Sequence, residues 1–204
     1  VAHATDGGGS IRVPAACCGL FGLKPSRGLT SIENEPLGSW DGMSVGHVVS
    51  QTVRDSAAFL DAIKLDCPRL FPMPATEGSF LSNLKKSQEN LRIGLQLTHP
   101  GNQSIDQVCL DGVSLAGQLC ESLGHKVEEV KHPLDYTPVI SAMSKMINTF
   151  IFQRIDARLH QLGIPLEKAD IENSTRIVAS LGAKVTAGQY LKARETLHSA
   201  ELVL

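Results

Sequence analysis

Hydrophobic and polar positions alternate most plainly in L-R-I-G-L-Q-L, where Leu91, Ile93, Leu95 and Leu97 fall on one side of an extended chain. That alternation predicts a strand. Ser104 followed three residues later by Gln107 is a capping-box pattern. It predicts the opening of a helix that carries Val108, Leu115, Leu119 and Leu123, with Gly124 as a left-handed stop. The run K-V-E-E-V then reads as a second strand with Val127 and Val130 facing inward. Strand, helix and strand in this order form a crossover, and a crossover implies a parallel pair.

Helical spacing recurs on both sides of that unit. Val53, Ala57, Leu60 and Ile63 share one face, and Thr52 with Asp55 supplies a weaker version of the same cap. Thr137-Pro138 predicts an N-cap with proline at the first helical position, opening a helix that runs to Leu162 before Gly163. A second helix is expected near Ile171 to Leu181, stopping at Gly182. A third opens at Thr186 with Gln189 and still runs at Leu204. Val1 to Ala4 reads as a short strand, Leu29 to Gly46 as an irregular surface excursion, and Cys67 to about Ser79 as a proline-containing linker.

These elements predict an α/β protein, with a mixed, largely parallel sheet flanked by helices and a more helical C-terminal portion. A chain that begins in a strand and ends inside a helix reads as part of a longer domain. Its segments are a core piece over 1–66, a linker over 67–90, a strand–helix–strand unit over 91–134 and a helical portion over 135–204. A sheet cut in this way would expose an edge and an apolar face, so self-association is expected.

Composition narrows the function more than the fold. Hydrophobic residues make up 42% of 204 positions, enough for a core, and the net charge of −2 is spread over both signs. Neither nucleic acid nor an anionic membrane is favoured by that charge, and no apolar run approaches the roughly 20 residues of a membrane span. The five cysteines lack zinc-ligand spacing and read as buried thiols in a reducing, cytoplasmic setting. His3, His47, His125 and His198 are scattered and read as surface or packing residues. Met143 and Met146, one turn apart, read as core.

The chemistry concentrates in D-G-G-G-S-I-R, where Ser10 follows three glycines. Glycines open backbone conformations in which several N–H groups can converge, and a hydroxyl beside such a cradle suits attack on a carbonyl. Taken alone, G-G-G-S also describes a flexible loop with an exposed serine. The phosphate-loop pattern G-x-x-x-x-G-K-[ST] and the hydrolase elbow G-x-S-x-G are both absent. Trp40 and Met43, near Gly38 and Gly42, are candidates to line a substrate pocket. Anchoring the loop explains them equally well.

From Asp6 to Gly28 the chain reads D-G-G-G-S-I-R-V-P-A-A-C-C-G-L-F-G-L-K-P-S-R-G. This resembles the amidase signature family, whose pattern is close to G-S-D-x-G-G-S-I-R-x-P-A-x-x-C-G-x-x-G-L-K-P-T-x-G. The stretch from His47 to Ala62 resembles the family's following segment, and the rest more loosely resembles stand-alone bacterial amidases. The resemblance implies hydrolysis of a small-molecule amide through an acyl-enzyme on Ser10, with neither metal nor organic cofactor. It assigns the backbone N–H groups of Gly7, Gly8, Gly9 and Ser10 to an oxyanion hole and makes Asp6 and Arg12 braces of the loop. The family's catalytic lysine and its second serine belong to motifs upstream of Val1, so the 204-residue chain alone is expected to be inactive or nearly so. Lys24 matches a different family position and reads as structural. Two rivals stand beside this reading: the amidotransferase subunit of the same family, whose Y-G-x-V run is missing here, and a non-catalytic truncated chain.

Overall fold

The computed structural model describes residues 1–30, 40–64, 78–86, 90–99, 101, 103–131 and 133–203. The chain divides into two units, Val1–Ser87 and Gln88–Leu204. The division falls inside the expected linker over 67–90, of which 67–77 and 87–89 lie outside the described residues.

In the first unit, β1 (Ala2–Asp6) runs into α1 (Arg12–Cys18), followed by β2 (Phe21–Gly22), β3 (Val45–Ser50) and α2 (Val53–Ile63), with α3 (Phe80–Asn83) at its end. The central strand is β3, paired antiparallel to β1 on one side and to β2 on the other. Parallel pairing is confined to the second unit among the described residues. Nearly every residue of β3 is buried, including the polar His47 and Ser50. A strand covered on both faces loses the polar–apolar alternation by which strands are read, which is why V-G-H-V-V-S gives no strand signal.

The expected surface excursion therefore needs correction at both ends. Val45 and Gly46 belong to β3. Thr30 is buried, donates its hydroxyl to Gly46 O at 2.8 Å and bridges to Lys64. The middle of that stretch, 31–39, lies outside the described residues. α2 opens as expected, with Thr52 Oγ1 accepting from the Asp55 N–H at 3.0 Å. Its buried face is Ser56, Ala57 and Leu60, whereas Val53 is exposed. Ser56 replaces Val53 there because its hydroxyl meets the His47 ring at 2.8 Å.

In the second unit, β4 (Arg92–Leu95) and β5 (Lys126–Glu129) pair in parallel across α4 (Gln107–Ser122), as the crossover pattern predicts. The cap is Asp106, which accepts from the Val108 N–H at 3.0 Å, rather than Ser104. A carboxylate directly before the first turn satisfies the orphan N–H group that Ser104, two residues farther out, does not reach. Gly124 takes the left-handed conformation with φ 88°. The expected apolar stripe is on the wrong side: Val108, Leu115, Leu119 and Leu123 are 60–75% exposed. The least exposed positions are Leu110, Ser114, Gly117 and Cys120, and Gly117 meets Leu95 and Val127. Val127 is half-buried and Val130 exposed, so only the first faces inward as expected.

The helical portion holds α5 (Tyr136–Leu162), a 3-10 turn (Leu166–Lys168), α6 (Asn173–Gly182) and α7 (Ala187–Glu201), with α6 and α7 both packed on α5. Asp135 caps α5 through the Thr137 N–H at 2.9 Å, placing Pro138 at the third helical position rather than the first. Gly163, at φ 66°, ends it as expected. α6 ends at Gly182 as expected, but without a left-handed turn: Gly182 is its last helical residue, where a methyl group would strike the Asn148 carbonyl and stand 2.8 Å from Phe152 Cβ. α7 has the full Thr186–Gln189 capping box and ends at Glu201, with Leu204 outside the described residues. Met146 is buried and Met143 half-buried, in keeping with a core role. No helix of the described residues is long and apolar enough to cross a membrane.

Candidate active site

The loop of interest joins β1 to α1. β1 ends at Asp6, which is fully buried, and Ile11, also fully buried, anchors the far end before Arg12 opens α1. Between these anchors the backbone passes through three glycines, of which Gly9 has φ 118°, a region L side chains rarely enter.

Asp6 organises everything around it. Its Oδ1 accepts the Gly9 N–H at 2.6 Å, while Oδ2 accepts those of Ile11 at 3.3 Å and Arg12 at 3.5 Å. The Arg12 guanidinium closes the ring, Nε to Oδ2 at 2.9 Å and Nη2 to Oδ1 at 3.0 Å. That hydrogen-bonded guanidinium, aided by the backbone donors, outweighs desolvation and lowers the Asp6 pKa to about 2. Arg12 is shifted upward by the same pair. A buried carboxylate is costly unless its oxygens are satisfied, and here five donors converge on two oxygens.

This bracing decides which N–H groups remain for a ligand. Gly9 donates to Asp6 and its carbonyl accepts from Val13 at 2.7 Å, so its peptide groups are occupied on both sides. Of the expected oxyanion set of Gly7, Gly8, Gly9 and Ser10, Gly9 is thus the member whose N–H is already engaged. Among the described residues the N–H groups of Gly7, Gly8 and Ser10 have no partner. Gly8 and Ser10 are exposed, Gly7 half-exposed, and the Ser10 hydroxyl has no hydrogen-bond partner among the described residues.

Of the other expected site residues, Trp40 reaches the loop. A methyl group placed on Gly7 would lie 2.5 Å from Trp40 Cζ3 and 2.7 Å from Cε3, so the indole rests against the glycine itself. Met43 is half-buried and returns its N–H to Trp40 O at 3.3 Å, closing the turn. Lys24 donates to Pro25 O at 2.7 Å, and desolvation with the nearby Arg12 charge lowers its pKa. His47 is buried with its ring on Ser56, while His3 and His198 are exposed. Cys17 and Cys18 are exposed rather than buried, because α1 turns its Ala15 face to the core and ends one residue later at Gly19. No cluster of three or more His, Cys, Asp or Glu side chains suited to a metal occurs among the described residues.

Two features escaped the sequence reading. The Thr30 hydroxyl pins the start of the excursion, and nothing in the local pattern marks it. The Gly7–Trp40 contact did leave a trace: the family pattern admits any residue at that position, yet here it is glycine.

The family model for Amidase matches residues 1–202. The "Putative amidase AmiB2" of Mycobacterium tuberculosis is 34% identical over the whole of this chain and 40% of its own length. The "Putative amidase" of Synechocystis is 32% identical over 94% of the chain and 35% of its own. Among solved structures, 6-aminohexanoate cyclic dimer hydrolase complexed with substrate superposes with a TM-score of 0.89 at 25% identity, over 98% of this chain and 43% of that one. The chain thus spans about two fifths of the proteins it resembles. With residues 1–202 matched and the signature loop folded around the buried Asp6 carboxylate and its Arg12 partner, the chain belongs to the amidase family.

Proposed function

We propose that this chain carries the nucleophile and oxyanion segment of an enzyme that hydrolyses carbon–nitrogen amide bonds. The observation that carries the reading is the division of labour in the loop. Asp6 takes the N–H groups of Gly9, Ile11 and Arg12, while among the described residues those of Gly7, Gly8 and Ser10 stay unengaged beside an exposed hydroxyl.

Ser10 Oγ attacks the amide carbon, and its proton passes to a base. The former carbonyl oxygen gathers negative charge, which the free N–H groups stabilise without reorganising, because the loop is already held. Collapse expels the amine, which takes up the proton, and water then releases the acid from the Ser10 ester. The negative charge of Asp6 stands close to this anion, and its pairing with Arg12 keeps it from opposing the reaction.

A serine hydroxyl needs a base at neutral pH, and base assistance contributes about 10²–10⁴-fold. By the family resemblance, the lysine and bridging serine are expected in motifs that these 204 residues do not contain. The isolated chain is accordingly expected to turn over little or no amide. The test uses a protein extended N-terminally by that lysine-bearing segment. Likeness to the cyclic dimer hydrolase makes a cyclic amide the first substrate to try. Rapid acid quench during turnover should trap an acyl group on the peptide that contains Ser10. Unchanged turnover by Ser10→Ala would overturn the reading.

A further inference from the structure

Trp40 is the only tryptophan of the chain, and its placement is costly. Trp40, Asp41 and Gly42 occupy consecutive left-handed conformations, with φ of 55°, 57° and 82°. Asp41 and Gly42 tolerate such angles, but the bulky Trp40 side chain disfavours them, and strain of this kind persists where the surroundings over-determine it.

What the strain achieves is contact with the Gly loop. Gly7 is absent from the residues with positive φ, so its backbone does not require glycine. The requirement is steric: the indole fills the space where a side chain would stand, with Ser44 Cβ a further neighbour at 3.4 Å. One residue on, the surroundings change. A methyl group on Gly8 would meet nothing within 4 Å among the described residues. An indole edge, an open glycine and the exposed Ser10 thus follow one another along four residues of backbone, and Trp40 remains partly exposed.

We propose that Trp40 is a specificity-determining residue, an apolar wall beside the nucleophile loop that selects amides bearing a flat or ring-shaped apolar group. This rests on the reading of Ser10 as nucleophile for its meaning, although the wall itself does not need the hydroxyl. Indoles pair favourably with rings in offset or edge-on arrangements, and no charged side chain is needed for such selection.

A single tryptophan makes the wall directly observable. Titration of the 204-residue chain with benzamide, excited at the red edge of indole absorption, should give a saturable change in Trp40 emission. Acetamide should need about tenfold higher concentration for the same change. Ser10→Ala should keep the benzamide response, so loss of the nucleophile reading alone would leave this result intact. Equal responses to the two amides, or none to benzamide, would overturn the proposal. Packing is checked separately: Gly7→Thr should lower Tm, and Trp40→Ala in the same chain should recover most of that loss. An identical loss in both backgrounds would show that the indole does not occupy this space.

Discussion

Asp6 and Arg12 form a two-point ion pair in which the carboxylate is fully buried and the guanidinium side chain is 54% exposed. The pair is asymmetric, because the buried partner also receives three backbone N–H groups. Removing the carboxylate therefore removes more than an ion pair. Asp6→Asn should cost about 2–4 kcal/mol in urea unfolding at pH 7. The sign of the pH dependence follows from the depressed pKa. The unfolded carboxyl protonates near 3.8 and the folded one near 2, so the stabilisation is complete above about pH 5 and is lost as pH falls toward 2. The gap between wild type and variant should close over that interval. A gap independent of pH would show that the charge is not what holds the loop.

His47 predicts a second pH effect, in a different window. Burial lowers its pKa from the ordinary 6.5, and its Nδ1 is buried without a partner among the described residues, while Nε2 meets Ser56 Oγ. Below pH 6.5 the unfolded ring takes a proton that the folded ring resists, so the unfolded state binds more protons and stability falls as pH drops. Above that value the term vanishes. Tm should decline between pH 7.5 and 5.5, and a His47→Gln variant should flatten the slope whatever its absolute stability.

Glycines at two helical positions should respond oppositely to alanine. At Gly182 the Asn148 carbonyl and Phe152 Cβ leave no room, and Gly182→Ala should cost about 1–3 kcal/mol despite alanine's better helix propensity. At Gly112, on α4, none of the described residues stands within 4 Å of the new methyl group. Gly112→Ala should stabilise by about 0.5–1 kcal/mol. Thermal unfolding of the two variants decides the matter, and a shared sign would contradict the packing described.

The contrast between those glycines shows what sequence carries and what it does not. Gly163 and Gly124 could be read in advance because a helix stop is a local event, set by one residue's own φ. Gly182 looks identical in sequence, yet its reason lies 34 positions away at Asn148. Caps behave alike. Thr186 with Gln189 was legible because both halves of its box lie within four residues, whereas Ser104 lost to Asp106 through competition between two neighbouring acceptors. β3 was missed because burial on both faces erases alternation, and the α4 stripe misled because apolar spacing marks a face without naming its partner.

The site was legible to a similar depth. Ser10, Asp6 and Arg12 could be placed through the family pattern. That Gly9 spends its N–H on Asp6 depends on an interatomic distance no pattern contains. The contact of Trp40 with Gly7 joins positions 33 apart, across a stretch with no periodicity to connect them.

The central claim, that Ser10 is a nucleophile whose activating residues lie outside this chain, is tested most directly by intact-mass labelling with a fluorophosphonate. The 204-residue chain and the N-terminally extended protein are treated in parallel, each with its Ser10→Ala counterpart. One adduct is expected, on the extended protein only, and it is lost when Ser10 is alanine. An adduct that survives Ser10→Ala, or an extended protein that turns over amides yet takes no label at Ser10, would contradict it.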